Sequence, residues 1–215
     1  MPKSCPPDLS RAQPLAAEFF ARDPRRVARE LLGKLLVRRE GQTVRGGRIV
    51  EVEAYLGAGD AAAHAAAGLT ARNRVLFGPP GRAYVYLIYG NHFCLNVSCL
   101  PDGEAGCVLI RALAPQLGVA EMARARGMEL PPQPSAARLR LLATGPGRLT
   151  QALAITRPRD NDKDLTEPTA DLVLLDDGFH PGRIAVTPRI GITKAAAEPL
   201  RYVVAGSEFV SGRRV

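Results

Sequence analysis

At 215 residues with 46% apolar side chains, the chain can build a core of its own, which excludes wholesale disorder and favours one large domain over two small ones. Lys and Arg number 29 against 21 Asp and Glu, leaving a formal charge of +8. That balance suits a polyanionic partner and says nothing about fold.

In chain order, residues 1–13 read as a polar, Pro-containing, flexible arm, and 14–215 as one domain. Asp23-Pro24 has the form of an N-cap followed by proline in the first helical turn. Val27, Leu31 and Leu32 fall on one helical face, and Gly33 can close that helix in a left-handed cap. Residues 35–38 and 48–56 resemble two strands around a glycine-containing turn. In the second strand, alternation puts Ile49, Glu51, Glu53 and Tyr55 on one side and Val50, Val52 and Ala54 on the other. The second set is an ordinary core stripe; the first carries two carboxylates.

Asp60 can cap a short Ala-rich helix bearing His64. An irregular segment over 68–81 follows, with Arg72, Asn73 and Arg74 in it. Residues 82–89 and 93–100 predict a hairpin around Gly90-Asn91-His92, and 107–113 another strand. Residues 116–126 read as an amphipathic helix, and helices are expected on each side of Thr144-Gly145-Pro146-Gly147. Strand-like runs return at 172–175, 184–187 and 202–204. Without regular β-α alternation, the expected class is a mixed α+β domain.

Several functions are excluded. No apolar run approaches the roughly 18 residues of a membrane helix. The first 14 residues lack the apolar stretch of a secretory signal, so the expectation is a cytoplasmic protein without a membrane partner. Cys5, Cys94, Cys99 and Cys107 are too irregular for a disulfide scaffold and form no C-x-x-C pair for zinc. Asp160, Asp162 and Asp164 superficially suggest a calcium loop, but Leu165 stands where that loop needs glycine. Neither a metal nor a cofactor is expected.

The chemistry concentrates between Glu51 and Arg111. Two carboxylates and a tyrosine share a strand face, His64 follows, then Tyr84, Tyr86, Tyr89, Asn96 and Arg111. Only 5% of the chain is aromatic, yet four of its five tyrosines lie here, which is denser than average core. In a basic chain this grouping suggests a nucleobase pocket. Bases stack on aromatic faces for about 1–3 kcal/mol each, and a carboxylate can activate water for attack on a sugar carbon. Singly, each residue has a blander reading. Glu51 and Glu53 could be surface ion pairs, His64 a structural histidine, and the tyrosines packing. Residue patterns alone reach a nucleotide-directed site and stop there.

At these residues the chain resembles the alkyladenine (3-methyladenine) DNA glycosylase family. The resemblance runs through RIVEVEAYL (48–56), DAAAH (60–64), RNR (72–74), YVYLIYG (84–90), FCLN (93–96), VLIRAL (108–113), TGP (144–146) and QALAI (151–155). It covers residues 28–211, and the order and spacing of so many blocks is far more specific than any one motif. It implies a curved, largely antiparallel sheet surrounded by helices, with a protruding β-hairpin. It also implies a monofunctional enzyme, a monomer, that excises 3-methyladenine and 7-methylguanine from duplex DNA, with hypoxanthine and ethenoadenine as further candidate lesions, and it places the enzyme at the nucleoid.

The implied roles attach to matching positions. Glu53 is the base that deprotonates the water attacking C1′, and Arg111 helps to hold that water. Tyr55 and His64 sandwich and hydrogen-bond the flipped base, with Tyr86 on the opposite face. Asn96 at the pocket floor crowds the exocyclic amine of normal guanine. Tyr89 is the wedge that fills the gap in the duplex, with Asn91 and His92 at the hairpin tip where animal members carry apolar or aromatic residues. Thr70, Arg72 and Arg74 lie in a DNA-contacting loop, and Thr144 and Gly145 in a backbone-contacting turn. Lys3, Lys34, Lys163 and Lys194 all lie outside the central segment, so the resemblance implies simple hydrolysis rather than a Schiff-base step. The alternative is a catalytically inactive nucleic-acid-binding module, since the fold also resembles the tRNA-contacting C-terminal module of methionyl-tRNA formyltransferases. A binder has no need of a carboxylate beside Arg111. A free-nucleoside hydrolase would need neither a wedge tyrosine nor a charge of +8.

Overall fold

The structure, a computed structural model, describes residues 7–88 and 90–212. Its strands are β1 (Gln13–Pro14), β2 (Leu35–Glu40), β3 (Thr43–Tyr55), β4 (Ala83–Ile88), β5 (His92–Cys99), β6 (Gly106–Leu117), β7 (Leu172–Asp176), β8 (Ile184–Thr187) and β9 (Arg201–Val204). Its α-helices are α1 (Ala17–Phe20), α2 (Pro24–Leu31), α3 (Val119–Ala125), α4 (Ala136–Ala143), α5 (Pro146–Ala152) and α6 (Arg157–Asp160). The domain is α+β. One curled antiparallel sheet runs in the order β1-β7-β2-β3-β6-β5-β4. β3 is its axis. β2 pairs with the first half of β3, and β9, backed by β8, takes over the same edge from Glu51 to Glu53.

Most elements begin where local chemistry says they should. The Asp23 carboxylate accepts from the Arg25 amide, Pro24 opens α2, and Val27, Ala28 and Leu31 bury its inner face. β4 and β5 form the expected hairpin, Ile88 opposite His92, with Gly90 and Asn91 exposed at its tip. Three readings need revision. The helix expected over 116–126 begins only at Val119, because Gln116 and Leu117 continue β6. Gly118, at φ +56, marks the change, and a Cβ there would lie 2.1 Å from the Val44 carbonyl oxygen. Asp60 does not cap the helix bearing His64. It accepts from the amides of Ala62 and Leu56, and a 3-10 turn, His64–Ala67, starts behind Ala63 without a side-chain cap. In the N-terminal stretch, Gln13 pairs with Asp176, and Leu9 and Ala12 pack against Leu35, Val37, Val173 and Leu175.

The third revision concerns β3. Ile49 lies with Val52 and Ala54 in the main core, not with the glutamates. Ile49 pairs with Leu113 and Glu51 with Ala112, which leaves Val50 as an extra residue. Val52 then pairs with Ile110, which leaves Arg111 extra on β6. Each bulge shifts the parity of its strand, so core residues are three apart across it: Ile49 and Val52 on β3, Ile110 and Leu113 on β6. Beyond the bulges alternation is regular. Val52, Ala54, Ala83, Val85, Leu95, Val97, Val108 and Ile110 face the main core, which Leu149, Ala152 and Leu153 also enter. Glu51, Glu53, Tyr55, Tyr84, Tyr86, Asn96, Cys107 and Arg111 are left for the other face.

Candidate active site

That second face carries a small cluster of its own, Ala65, Val75, Leu76, Tyr84 and Cys107, with Tyr55 and Tyr86 packed against it. A cavity of about 210 Å³ opens there, lined by Tyr55, Ala62, His64, Leu76, Tyr84, Tyr86, Ile88, Asn96, Cys107, Gly191 and Ile192. It is smaller than the roughly 300–1,000 Å³ of drug-sized pockets, which suits one heterocyclic ring system. The predicted Tyr55, His64, Tyr86 and Asn96 all reach this one space.

The rings are arranged differently from the expectation. His64 and Tyr86 lie 4.5 Å apart between centroids and cross at 62°, so no flat ring fits between them; they form one wall together. Tyr55 contributes separately, with the buried Arg189 guanidinium 4.6 Å from its ring centroid. The Tyr84 hydroxyl meets His64 Nδ1 at 2.8 Å and fixes the imidazole. Burial, followed by the charge of Arg72, pulls the His64 pKa below its ordinary value, so the ring is neutral at pH 7. Burial holds the Tyr84 phenol up, and burial together with the Glu53 charge raises that of Tyr55; both remain hydroxyls. Asn96 is locked at the floor. Its Nδ2 donates to the Tyr84 carbonyl and its Oδ1 accepts from the Cys107 thiol. Burial pushes that thiol up to about 12, so it is no nucleophile.

Glu53 sits behind the cavity rather than in its wall, with no exposed surface. Its Oε1 accepts from the Ile190 amide at 2.8 Å, and its Oε2 accepts from the Tyr55 hydroxyl at 3.0 Å. Arg111 Nη1 approaches the same Oε2 at 3.2 Å. Tyr55, Gly191 and Ile192, which do line the cavity, therefore connect it to the carboxylate. Burial opposes the Arg111 charge, but Glu53 and Glu51 outweigh it and raise the guanidinium pKa.

The DNA-binding candidates separate into groups. Arg72, Arg74 and Thr70 are exposed on the loop beside the cavity, with Arg72 5.8 Å from the Tyr86 ring. Asn73 between them is buried. It ties the loop together by donating to the carbonyls of His64 and Gly68. Asn91 is exposed, whereas His92 packs over Gly147 and meets Gln151 at 3.2 Å. Thr144 needs correction as a contact. It is buried, its hydroxyl donates to the Phe209 carbonyl and its amide to that of Arg140, whereas Gly145, Pro146 and Gly147 are partly exposed at that turn. Tyr89, the expected wedge, lies outside the described residues.

Sequence reasoning missed the 189–192 segment. The Asp60 carboxylate accepts two hydrogen bonds from Arg189, which also donates to the Ala54 carbonyl. This pins the loop that delivers the Ile190 amide to Glu53. A backbone donor 137 residues away from its acceptor leaves no signature in the chain. Among the described residues, no group of three or more His, Cys, Asp or Glu could hold a metal ion, and no helix is long and apolar enough to cross a membrane. Lys34 and Lys163 pair with Asp176 and with Asp160 and Asp171, away from the cavity.

Comparison with known proteins gives the same direction. The family model described as methylpurine-DNA glycosylase matches residues 18–208. A protein of Koribacter versatilis named "Putative 3-methyladenine DNA glycosylase" is 64% identical, over 100% of this chain and 99% of its own length. Proteins of the same name from Methanoculleus marisnigri and Burkholderia cenocepacia are 48% and 46% identical, over 93% and 90% of this chain and 99% and 89% of theirs.

Proposed function

From the premise that this chain belongs to the methylpurine-DNA glycosylase family, and is therefore a DNA glycosylase that hydrolyses N-glycosyl bonds, we propose the lesions it takes and the way its residues remove them. The enzyme works as a monomer on duplex DNA in the cytoplasm, at the nucleoid. It extrudes a 3-methyladenine or 7-methylguanine nucleotide into the cavity, paying a few kcal/mol of unstacking that is least for damaged bases. Tyr55 stacks on one face of the base, and the crossed His64–Tyr86 pair supports the other. An alkylated purine is cationic, so electron-rich rings and a neutral His64 hold it better than they hold a normal base. The locked Asn96 crowds the exocyclic amine of guanine. Neutral lesions such as hypoxanthine or ethenoadenine fit the same walls but leave less readily.

The observation that carries the reading is Glu53, a buried carboxylate joined to a tyrosine–histidine cavity through Tyr55 and flanked by Arg111. Glu53 takes a proton from water as that water bonds to C1′. The C1′–N bond breaks with its electron pair going to the base, whose positive charge is thereby neutralised. The products are the free purine and an abasic site. Tyr89, with Asn91 at the hairpin tip, holds the duplex open, and Thr70, Arg72, Arg74 and Gly145 hold phosphates. The test is release of free base from duplexes carrying one 7-methylguanine or one hypoxanthine. Release by the native protein, lowered by about 10²–10⁴-fold in Glu53→Gln, supports the reading. Lesion binding with no release from any duplex would leave the inactive binding module in its place.

A further inference from the structure

The face that carries Glu53 also carries a second carboxylate, Glu51, equally without exposed surface and without a part in the reaction above. We propose that Glu51 is a positioning residue, which holds Arg111 shared between two carboxylates and so keeps it from closing on Glu53. The proposal rests on the reading of Glu53 as the base.

The hydrogen bonds around the two carboxylates differ. Glu51 is saturated. Its Oε1 accepts from Arg111 Nε at 2.9 Å, Arg201 Nε at 2.8 Å and the Ser211 hydroxyl at 2.7 Å, and its Oε2 from the Ser211 amide at 2.5 Å. Glu53 has the Ile190 amide, the Tyr55 hydroxyl and the longer Arg111 contact at 3.2 Å. Arg201 is not free to exchange, because its other nitrogens donate to the Thr187 hydroxyl and the Ser211 carbonyl. Among the described residues, Arg111 is therefore the guanidinium that pairs with both anions. Its Nε faces Glu51, which leaves Nη1 toward Glu53.

The clamp on Glu51 is built from the C-terminal segment. Residues 209–211 are tied down by Thr144, which donates to the Phe209 carbonyl, and by Arg140, which donates to that of Val210. Burial raises the Glu51 pKa, but Arg111, the two Ser211 bonds and Arg201 outweigh it and hold the carboxyl below its ordinary range. Glu51 is thus an anion at neutral pH. Among the described residues, the two anions form ion pairs with two guanidiniums, Arg111 and Arg201. Without the charge of Glu51, Glu53 is the one anion left to Arg111 among the described residues, beside the Ser211 hydroxyl 3.4 Å from Nη2. The guanidinium donors then turn to the oxygens that must take a proton from water.

Single-turnover base release and lesion-duplex affinity test this in Glu51→Gln, Arg111→Gln, the double variant and Ser211→Ala, which leaves every charge in place. Glu51→Gln is expected to slow release about tenfold or more while affinity stays within about twofold. In the Arg111→Gln background the same exchange should change the rate by less than about twofold, because a residue that acts through Arg111 has nothing left to act on. Ser211→Ala should lose about threefold in rate at unchanged affinity, as expected for one misplaced contact. Rate losses that add across the double variant, or that track a loss of affinity, overturn the proposal. So does an unchanged rate in Glu51→Gln. Where Glu51→Gln does not fold, Ser211→Ala decides, and an unchanged rate there overturns the proposal. Glu53→Gln is run in parallel: if it still turns over, the base assignment fails; if it is dead while Glu51→Gln and Ser211→Ala match the native rate, only the positioning role fails.

Discussion

Two buried ion clusters sit on this sheet, and the same residue types serve different ends in them. On the β2 side, the fully buried Arg38 gives Nη2 to Asp160 at 2.7 Å, Nη1 to Asp171 at 2.8 Å and Nε to the Leu153 carbonyl at 3.2 Å. Asp160 also takes Lys163 Nζ and the Thr156 amide, and Arg159 pairs with Glu40 and Asp171. The acid groups and cations there consume one another, and what remains is a strut between β2, α6 and the loop before β7. Around Glu53 the inner carboxylate is saturated while the outer one keeps a long guanidinium contact and a link to a cavity. Burying charge is costly unless it is paired, so a closed cluster is architecture. An incompletely closed one beside a pocket is where a protein stores reactivity.

The comparison can be broken most sharply at Glu53. Glu53→Gln should lower base release by about 10²–10⁴-fold, the range of general base catalysis, with lesion binding retained in a gel-shift titration. Asp160→Ala should do the reverse. Removing the fully buried partner of Arg38 Nη2, which leaves Arg38 only the partly exposed Asp171 as an anion, is expected to cost up to about 3–5 kcal/mol in urea unfolding, with unchanged base release per folded molecule.

Tyr84→Phe probes the cavity wall. Losing the hydroxyl that fixes His64 should weaken lesion binding by about 0.5–1.5 kcal/mol, with melting temperature as the control.

Acid reaches the β2-side cluster and the cavity through different readouts, stability for the first and lesion affinity for the second. Burial raises the Asp171 pKa, but Lys163, Arg159 and Arg38 overcome it and bring it to about 2. A folded value below the unfolded one gives stability that is complete above the ordinary aspartate value of 3.8 and is lost as pH falls toward about 2. Asp171→Asn should flatten that part of the unfolding profile. His64 also titrates below its ordinary value. Affinity for a cationic base should therefore be level near neutrality and fall only as acid protonates the ring, while affinity for hypoxanthine stays level; His64→Gln should abolish the difference. Smallest of all, Arg72→Ala should reduce the slope of log affinity against log salt by about 1, the effect of one phosphate contact.

Much of the site was readable in the chain because strands alternate. Glu51, Glu53 and Tyr55 share a face by period two, and Tyr84 and Tyr86 do so on β4. Ile49 broke that reading because the bulge at Val50 shifts parity, and a bulge made by an ordinary valine has no sequence mark. Asp23-Pro24 announced its helix because cap and proline act within one turn. Thr144 looked open to a ligand because nothing local shows that Phe209 takes its hydroxyl.

Residue types and their spacing along β3, β4 and β6 determined which chemistry this protein holds, since stacking rings, a carboxylate and a guanidinium are properties of single side chains. Only the tertiary structure decided that His64 crosses Tyr86, that Ile190 supplies an amide to Glu53, and that Ser211 closes on Glu51. Those contacts join segments far apart in the chain through hydrogen bonds whose partners become neighbours only when the sheet curls.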